Sequence, residues 1–579
     1  MKFHATTASI PPQNAFYRMG FPKETNLPVN IIPLNPIVFL LRAAQIYPNK
    51  LAISHPDAAK GLVEYSFAVW AQRVQNLAYA LKMSGIQPGD RVAVISPNCP
   101  LIADSHQAIL AARAVITPIN YRLKKAEVQY ILEHSGSKLI LVDHEFLTLV
   151  EGTTNIPIIV SKDTGRDNVG DPYEDFLDKG RAFSQERGWL GLELEPDENA
   201  NASLCYTSGT TGRPKGVMST CRGSYLAAVA NAFETKLDKD SVYLWTLPMF
   251  HACGWTYPWA TTFGFAAQVF IRSIRYPDIW HHFLNSGVTH YCAAPTVQIG
   301  IVNATEARRL DNPITAIIAG AAPTAHLIGE LEKKSINVTH VYGLTETYGP
   351  FTRSYPHPYW STVSLEERAK LFARQGHSFA TADEVRVVYQ IPPDHTGPVE
   401  LVDVPADGKT LGEIVTRGNI VMKEYYRDPE ATAKAFRGGY FASGDLAVRH
   451  LDRSVAILDR SKDLLISGGE NASTLAIEQE LATHPDVLEV AVVARPHPKW
   501  GERAMAFVVL HLDSAKKYEE DVIKFAESLA KHAKERLPGF ARPEWVEIVQ
   551  ELPKTSTGKI QKNVLRERVR EKDKEKARL

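Results

Sequence analysis

The sequence predicts an α/β fold: a mostly parallel sheet covered by helices, followed by a smaller α+β unit. Three observations carry this. In the first quarter of the chain, apolar segments alternate between helical and strand periodicity. The chain has 579 residues, more than a single hydrophobic core takes up. After residue 460 the pattern changes, at a charged junction formed by Arg460, Ser461, Lys462 and Asp463.

Residues 67–84, from Phe67 to Ser84, have helical spacing. Gly85 to Asp90 is a turn, and Arg91 to Ile95 is a short buried strand that ends at Ser96, Pro97 and Asn98. Residues 104–116 read as a helix, followed by Pro118 and Asn120, and Lys138 to Val142 as another strand. In such sheets ligands sit on loops at the carboxyl ends of strands. Beyond the junction come a helix over 474–483, strands over 487–494 and 504–512, a helix over 519–536 and a strand over 544–549. That is enough for a domain of its own, so the boundary is placed between residues 1–461 and 462–579. No internal repeat is visible.

Composition is that of a globular protein, 44% hydrophobic and 22% charged. Lys+Arg and Asp+Glu both number 65, so nothing points to nucleic-acid binding. Cys99, Cys205, Cys221, Cys253 and Cys292 are odd in number, widely spaced and without a C-x-x-C pair. This fits reduced thiols and argues against a disulfide scaffold or a zinc site. No apolar run is long enough to span a membrane, and the N-terminus has no apolar signal core.

Residues 206–217 carry the strongest chemical signal. Ser208, Thr210 and Thr211 place hydroxyls beside Gly209, Gly212 and Gly216, and Lys215 adds a cation. Glycines let backbone N–H groups turn toward an anion, so this segment suits a phosphate cradle. It lacks the Gly-Lys-Ser/Thr closure of a Walker A loop. On residue type alone a plain surface loop stays open beside the cradle.

In its full order, Tyr206 to Val217, the segment resembles the phosphate loop of adenylate-forming enzymes, such as acyl-CoA ligases, luciferases and peptide-synthetase adenylation domains. Four further segments match that family in family order: Tyr342 to Thr347, Tyr440 to Leu446, Asp459 to Asn471 and Pro553 to Lys562. The resemblance implies a large N-terminal domain of α/β layers with a distorted β-barrel, and a small mobile C-terminal domain.

It also implies residue roles. ATP or AMP would be held by Thr207, Ser208, Gly209, Thr210, Thr211, Gly212 and Lys215. Gly320, Ala321, Ala322, Tyr342, Gly343, Thr345, Asp445, Arg460 and Lys559 would complete that site. Tyr342 would pack on adenine, Thr345 would contact the α-phosphate, and Asp445 would accept from both ribose hydroxyls. Glu346 would bind Mg²⁺, a hard cation suited to a carboxylate. Lys559 would be the catalytic lysine, bringing positive charge to two meeting anions. Lys462 would be the hinge. Ser467, Gly468, Gly469 and Glu470 would line the CoA channel, where glycines allow close backbone approach.

The acyl pocket would be bounded by His251, Trp255, Val297, Gly320 and Gly343, with His251 as an aromatic gate beside the carboxylate. Amino-acid-activating relatives tend to carry Asp where this chain has His251, which disfavours amino acids. Met249-Phe250-His251, Gly254-Trp255 and Tyr342 to Pro350 are most similar to the short/medium-chain and aromatic acyl-activating enzymes of plants and fungi. Ala252-Cys253 departs from their Cys-Asn. The terminal Ala577, Arg578 and Leu579 resemble a Ser-Lys-Leu peroxisomal address, read by an import receptor. The implied reaction is adenylation of a small-to-medium or aromatic carboxylic acid by ATP, then transfer to CoA. Loading of a carrier protein and a nucleotide-binding pseudoenzyme remain as alternatives.

Overall fold

The computed structural model describes residues 3–22, 27–152, 154–167, 170–207, 213–320, 323–392, 395, 397–460, 463–518, 521–555 and 560–578. The expected roles of Ser208, Gly209, Thr210, Thr211, Gly212, Ala321, Ala322, Lys462, Lys559 and Leu579 fall outside the described residues.

Two large sheets carry the parallel strands. A nine-stranded sheet runs His377–Ser378, Gly349–Arg353, Ile336–Leu344, Ile314–Ile318, His290–Cys292, Val242–Trp245, Ala267–Phe270, Leu51–His55 and Val63–Ser66. From Ile336–Leu344 to Leu51–His55 every pairing is parallel. A seven-stranded sheet runs Glu424–Tyr425, Gly216–Thr220, Asn201–Tyr206, Val115–Pro118, Arg91–Ile95, Leu139–Asp143 and Ile158–Ser161. Its members from Asn201–Tyr206 to Ile158–Ser161 are parallel. Parallel pairing needs crossovers, and helices supply them. Phe67–Met83, Pro100–Ala111 and Cys221–Thr235 share one apolar cluster with strands of both large sheets.

Where the resemblance implies a distorted barrel, the described residues form a four-stranded antiparallel sheet, Glu384–Val388, Gly412–Arg417, Phe441–Arg449 and Val455–Arg460. A bridge between Gly376 and Val455 ties it to the neighbouring edge of the nine-stranded sheet. A fourth sheet is built wholly after residue 464. It comprises Glu470–Ala472, Leu465–Ser467, Gly501–Leu510 and Val487–His497, with Trp545–Ile548 parallel to Gly501–Leu510.

The structure corrects the sequence reading at two elements. The helix expected over 104–116 runs Pro100–Ala111. Pro100 opens it because a first-turn residue needs no N–H partner. The chain then turns through left-handed Arg113 (φ 61°) so that Val115–Pro118 can pair with Arg91–Ile95. The strands expected over 487–494 and 504–512 form a longer hairpin, Val487–His497 with Gly501–Leu510. Antiparallel register continues through Arg495–Arg503 to His497–Gly501, where alternation in sequence no longer marks it. Among the described residues no helix is long and apolar enough to cross a membrane. All five cysteines are buried and unbridged.

Candidate active site

Parallel pairing sends the carboxyl ends of neighbouring strands to one edge. In the nine-stranded sheet that edge carries the exits of four adjacent strands. Thr246 to His251 follow Val242–Trp245, and Ala293 to Val297 follow His290–Cys292. Ala319 and Gly320 follow Ile314–Ile318, and Tyr342 to Thr345 close Ile336–Leu344. The exit of Asn201–Tyr206 in the second sheet carries Thr207. The two edges are tied together. Asn98, after Arg91–Ile95, donates to Trp245 O (3.0 Å) and Leu247 O (3.1 Å) and accepts from Met249 N (2.8 Å). Tyr121 and Phe250 meet edge to face with ring centroids 5.2 Å apart.

Three candidates from distant segments form one contact set. Asp445 and Arg460 are register partners on adjacent antiparallel strands. The Arg460 Nε lies 3.4 Å from Asp445 Oδ1. Tyr342 Oη donates to Asp445 Oδ2 at 2.6 Å. The Asp445 turn is braced by Ser443, whose Oγ accepts from Asp445 N at 3.1 Å. Gly444 N donates to Glu413 Oε1 at 2.9 Å.

Beside this set is a second chain of contacts. Glu346 lies in the turn Thr345–Thr347 that ends the Tyr342 strand. Its Oε1 accepts from Tyr425 Oη at 2.9 Å, and its backbone O accepts from Met422 N at 2.7 Å. Burial raises the Glu346 carboxyl above the usual range, while the Tyr425 hydroxyl and Arg460 pull it back. Lys215 Nζ stands over the Tyr425 ring, 4.7 Å from its centroid. Thr207 N donates to Lys215 O at 2.9 Å, and Lys215 N to Thr207 Oγ1 at 3.4 Å. Thr345 O accepts from Tyr348 N at 3.0 Å. Tyr425 is the residue that sequence reasoning missed. It lies on a two-residue strand whose place depends on pairing with Val217, and no local signal marks it.

His251 opens an unusual segment. Ala252, Cys253, Gly254, Trp255 and Thr256 have φ of 40°, 46°, 60°, 53° and 65°. A left-handed conformation costs L-residues about 1–2 kcal/mol each, so the segment must be held from outside. The Cys253 side chain packs beside Cys205, Ser203 and Tyr348. Gly349 (φ 106°) lies against Trp255, where an added Cβ would stand 3.0 Å from Trp255 Cα. Gly349 also backs the Tyr342 strand, since a Cβ on Gly343 would come within 2.0 Å of its carbonyl oxygen. Trp255 and Gly343 are therefore brought together. Gly320 (φ 92°) borders open space. Val297 packs in a different apolar cluster, around Trp280 and Tyr291. Trp259 is core, stacked on Tyr348 at 5.8 Å.

The expected CoA-channel residues form a hairpin in which Ser467 pairs with Glu470 across left-handed Gly468 and Gly469. Gly468 N donates to Trp500 O at 2.8 Å, and Arg503 donates to Ser467 Oγ at 3.3 Å. Among the described residues no hydrogen bond joins this hairpin to the Tyr342–Asp445–Arg460 set.

Residues 40–426 match the model of the AMP-binding enzyme family, and residues 476–559 that of the AMP-binding enzyme C-terminal domain. The chain is 38% identical to the peroxisomal acetate/butyrate–CoA ligase AAE7 of Arabidopsis thaliana, across 94% of this chain and 96% of that one. It is 36% identical to the peroxisomal trans-cinnamate:CoA ligase of Petunia hybrida, across 93% and 94%. Among solved structures, ATP-bound MatB from Rhodopseudomonas palustris shares the fold with a TM-score of 0.76 at 24% identity, across 92% of this chain and 98% of that one.

Proposed function

The chain belongs to the AMP-binding enzyme family and is an AMP-forming acid–thiol ligase, and on that premise we propose that its acid is a small-to-medium or aromatic carboxylate. The relatives named for acetate, butyrate and trans-cinnamate support this acid class. The observation that carries the site assignment is the convergence of Tyr342, Asp445 and Arg460, drawn from three strands onto one carboxylate.

In this reading Asp445 receives the ribose hydroxyls and Tyr342 flanks the base. Arg460 and Lys215 face the phosphates, together with the loop over 208–212. Mg²⁺ fits the residues present: Glu346 supplies a hard carboxylate oxygen, oriented by Tyr425. When bound, it neutralises phosphate charge. A carboxylate oxygen of the acid, placed beside His251, attacks the α-phosphorus. That O–P bond forms as the α–β bridging bond breaks and pyrophosphate leaves. Lys559 steadies the negative charge of the meeting groups. The C-terminal unit then turns about Lys462 and brings the Ser467–Glu470 hairpin to the site. The CoA sulfur attacks the acyl carbonyl, AMP leaves with the bonding electrons, and the thiol proton passes to solvent. The AMP leaving group makes the second step possible, since oxide leaves a carboxylate poorly. The peroxisomal names of both relatives support a peroxisomal location in the same reading.

The test is a split of the two half-reactions. In Lys559→Ala, acid-dependent pyrophosphate release falls about 100-fold or more, as for loss of one transition-state charge donor. The same variant converts supplied acyl-AMP and CoA to thioester at the wild-type rate. Equal loss in both halves would overturn the role given to Lys559.

A further inference from the structure

A run of five left-handed residues, four of them carrying a Cβ, persists only where surrounding groups over-determine it. The run Ala252 to Thr256 is such a case. We propose that Asn231 is the positioning residue that holds this run, and that through Trp255 it sets the enzyme's selectivity among acyl chains. The inference rests on the reading that His251 and Trp255 bound the acyl pocket.

Asn231 lies on the helix Cys221–Thr235 and is wholly buried. Its Nδ2 donates to Thr256 Oγ1 at 2.8 Å, to Trp255 O at 3.4 Å and to Ala227 O at 3.0 Å. The first two acceptors are consecutive residues at the end of the left-handed run. The third, one turn back on its own helix, fixes the plane of the amide. A buried amide keeps such partners because leaving its N–H groups unmade is costly. Gly349 approaches Trp255 as well, leaving no room for a Cβ between them. Trp255 is thus gripped by an amide and backed by a glycine that also supports Gly343 of the nucleotide strand. The hydrogen bonds of Asn231 end on the turn and on its own helix, and none reaches Tyr342, Asp445 or Arg460. Its loss should therefore act first on the acyl wall, reaching the nucleotide strand only through the Gly349 contact.

The experiment measures KM and kcat for acid and for ATP separately, across a series of carboxylic acids, in the full chain. Asn231→Ala raises the KM for the preferred acid about tenfold and flattens the kcat/KM ratio between that acid and a longer one by a similar factor, with the KM for ATP within about twofold. Thr256→Val keeps the side-chain shape and removes the hydroxyl acceptor, so it flattens the same ratio about threefold even if Asn231→Ala does not fold. Glycine adopts the left-handed conformation without help, so the double variant Asn231→Ala/Thr256→Gly recovers most of the selectivity lost in Asn231→Ala. An unchanged ratio in Thr256→Val overturns the proposal. So does a KM for ATP that rises in step with that for acid, or a double variant no more selective than Asn231→Ala. A wild-type protein that adenylates none of the acids overturns the pocket reading itself. A selective wild type with indifferent variants overturns only the role of Asn231.

Discussion

Tyr342, Asp445 and Arg460 share one carboxylate, so its charge serves the fold and the ligand together. Replacing it by an amide removes an ionic acceptor from both. Asp445→Asn is expected to lower kcat/KM for ATP about 10- to 100-fold, the range for a hydrogen bond to a charged group. The KM for acid, with ATP saturating, should change little, and initial-rate kinetics check both. Glu346 gives a pH prediction. Its carboxyl is raised by burial, and only its ionised form fits a divalent cation. As pH falls, the carboxyl therefore takes up its proton sooner than an exposed glutamate would. The acid limb of kcat/KM for Mg·ATP lies above the ordinary carboxylate range and disappears in Glu346→Gln. A limb that survives that substitution would assign it to another group. At this scale much was legible in the sequence. Tyr342, Glu346, Asp445 and Arg460 sit in short segments marked by their resemblance to the adenylate-forming family, and the structure brings Tyr342, Asp445 and Arg460 into contact. Tyr425 and Asn231 were not legible. One is an isolated tyrosine placed by pairing with Val217, and the other a single polar residue within a helix. Val297 stays a proposed pocket residue, half-buried against the cluster around Trp280 and Tyr291.

Elements hold these residues through a few costly buried contacts. Arg73, on the helix Phe67–Met83, is wholly buried. It donates to Asp104 Oδ2 at 3.1 Å and to both Glu174 oxygens at 2.8 and 2.9 Å. It thereby joins the helices Phe67–Met83, Pro100–Ala111 and Pro172–Arg187. Burial nevertheless pushes the Asp104 carboxyl up to about 6. Removing the cation strands two carboxylates in the core, and Arg73→Ala should lose about 3–5 kcal/mol in denaturant unfolding. A loss within error would show that water or rearrangement satisfies Asp104 and Glu174. The alternation of helix and strand was readable because its periods differ. The start of Pro100–Ala111 was misplaced because a proline at the first helical position looks, in sequence, like a boundary further on. The left-handed run Ala252 to Thr256 left no trace in sequence, since four of its five residues disfavour it.

For the molecule as a whole, two parallel sheets bring their carboxyl edges together, and Asn98 and Tyr121 tie the edges. One face thus collects loops from both. Among the described residues the Ser467–Glu470 hairpin bonds within its own sheet, and in the proposed reading thioester formation brings it to that face. Lys462 is the proposed pivot. Proline there fixes φ and removes a donor. Lys462→Pro should retain acyl-AMP formation within a few-fold and slow thioester formation about 100-fold, as expected of a blocked conformational step. Equal slowing of both would place the pivot elsewhere. The most direct measurement is mass spectrometry of products from the purified chain with Mg·ATP, CoA and a pool of acids. The pool spans acetate to long-chain fatty acids, with benzoate, phenylacetate and cinnamate. The expected result is AMP, pyrophosphate and one or a few short, medium or aromatic acyl-CoA products. Acyl-AMP without acyl-CoA, thioesters of long-chain acids alone, or no adenylate from any acid would contradict it.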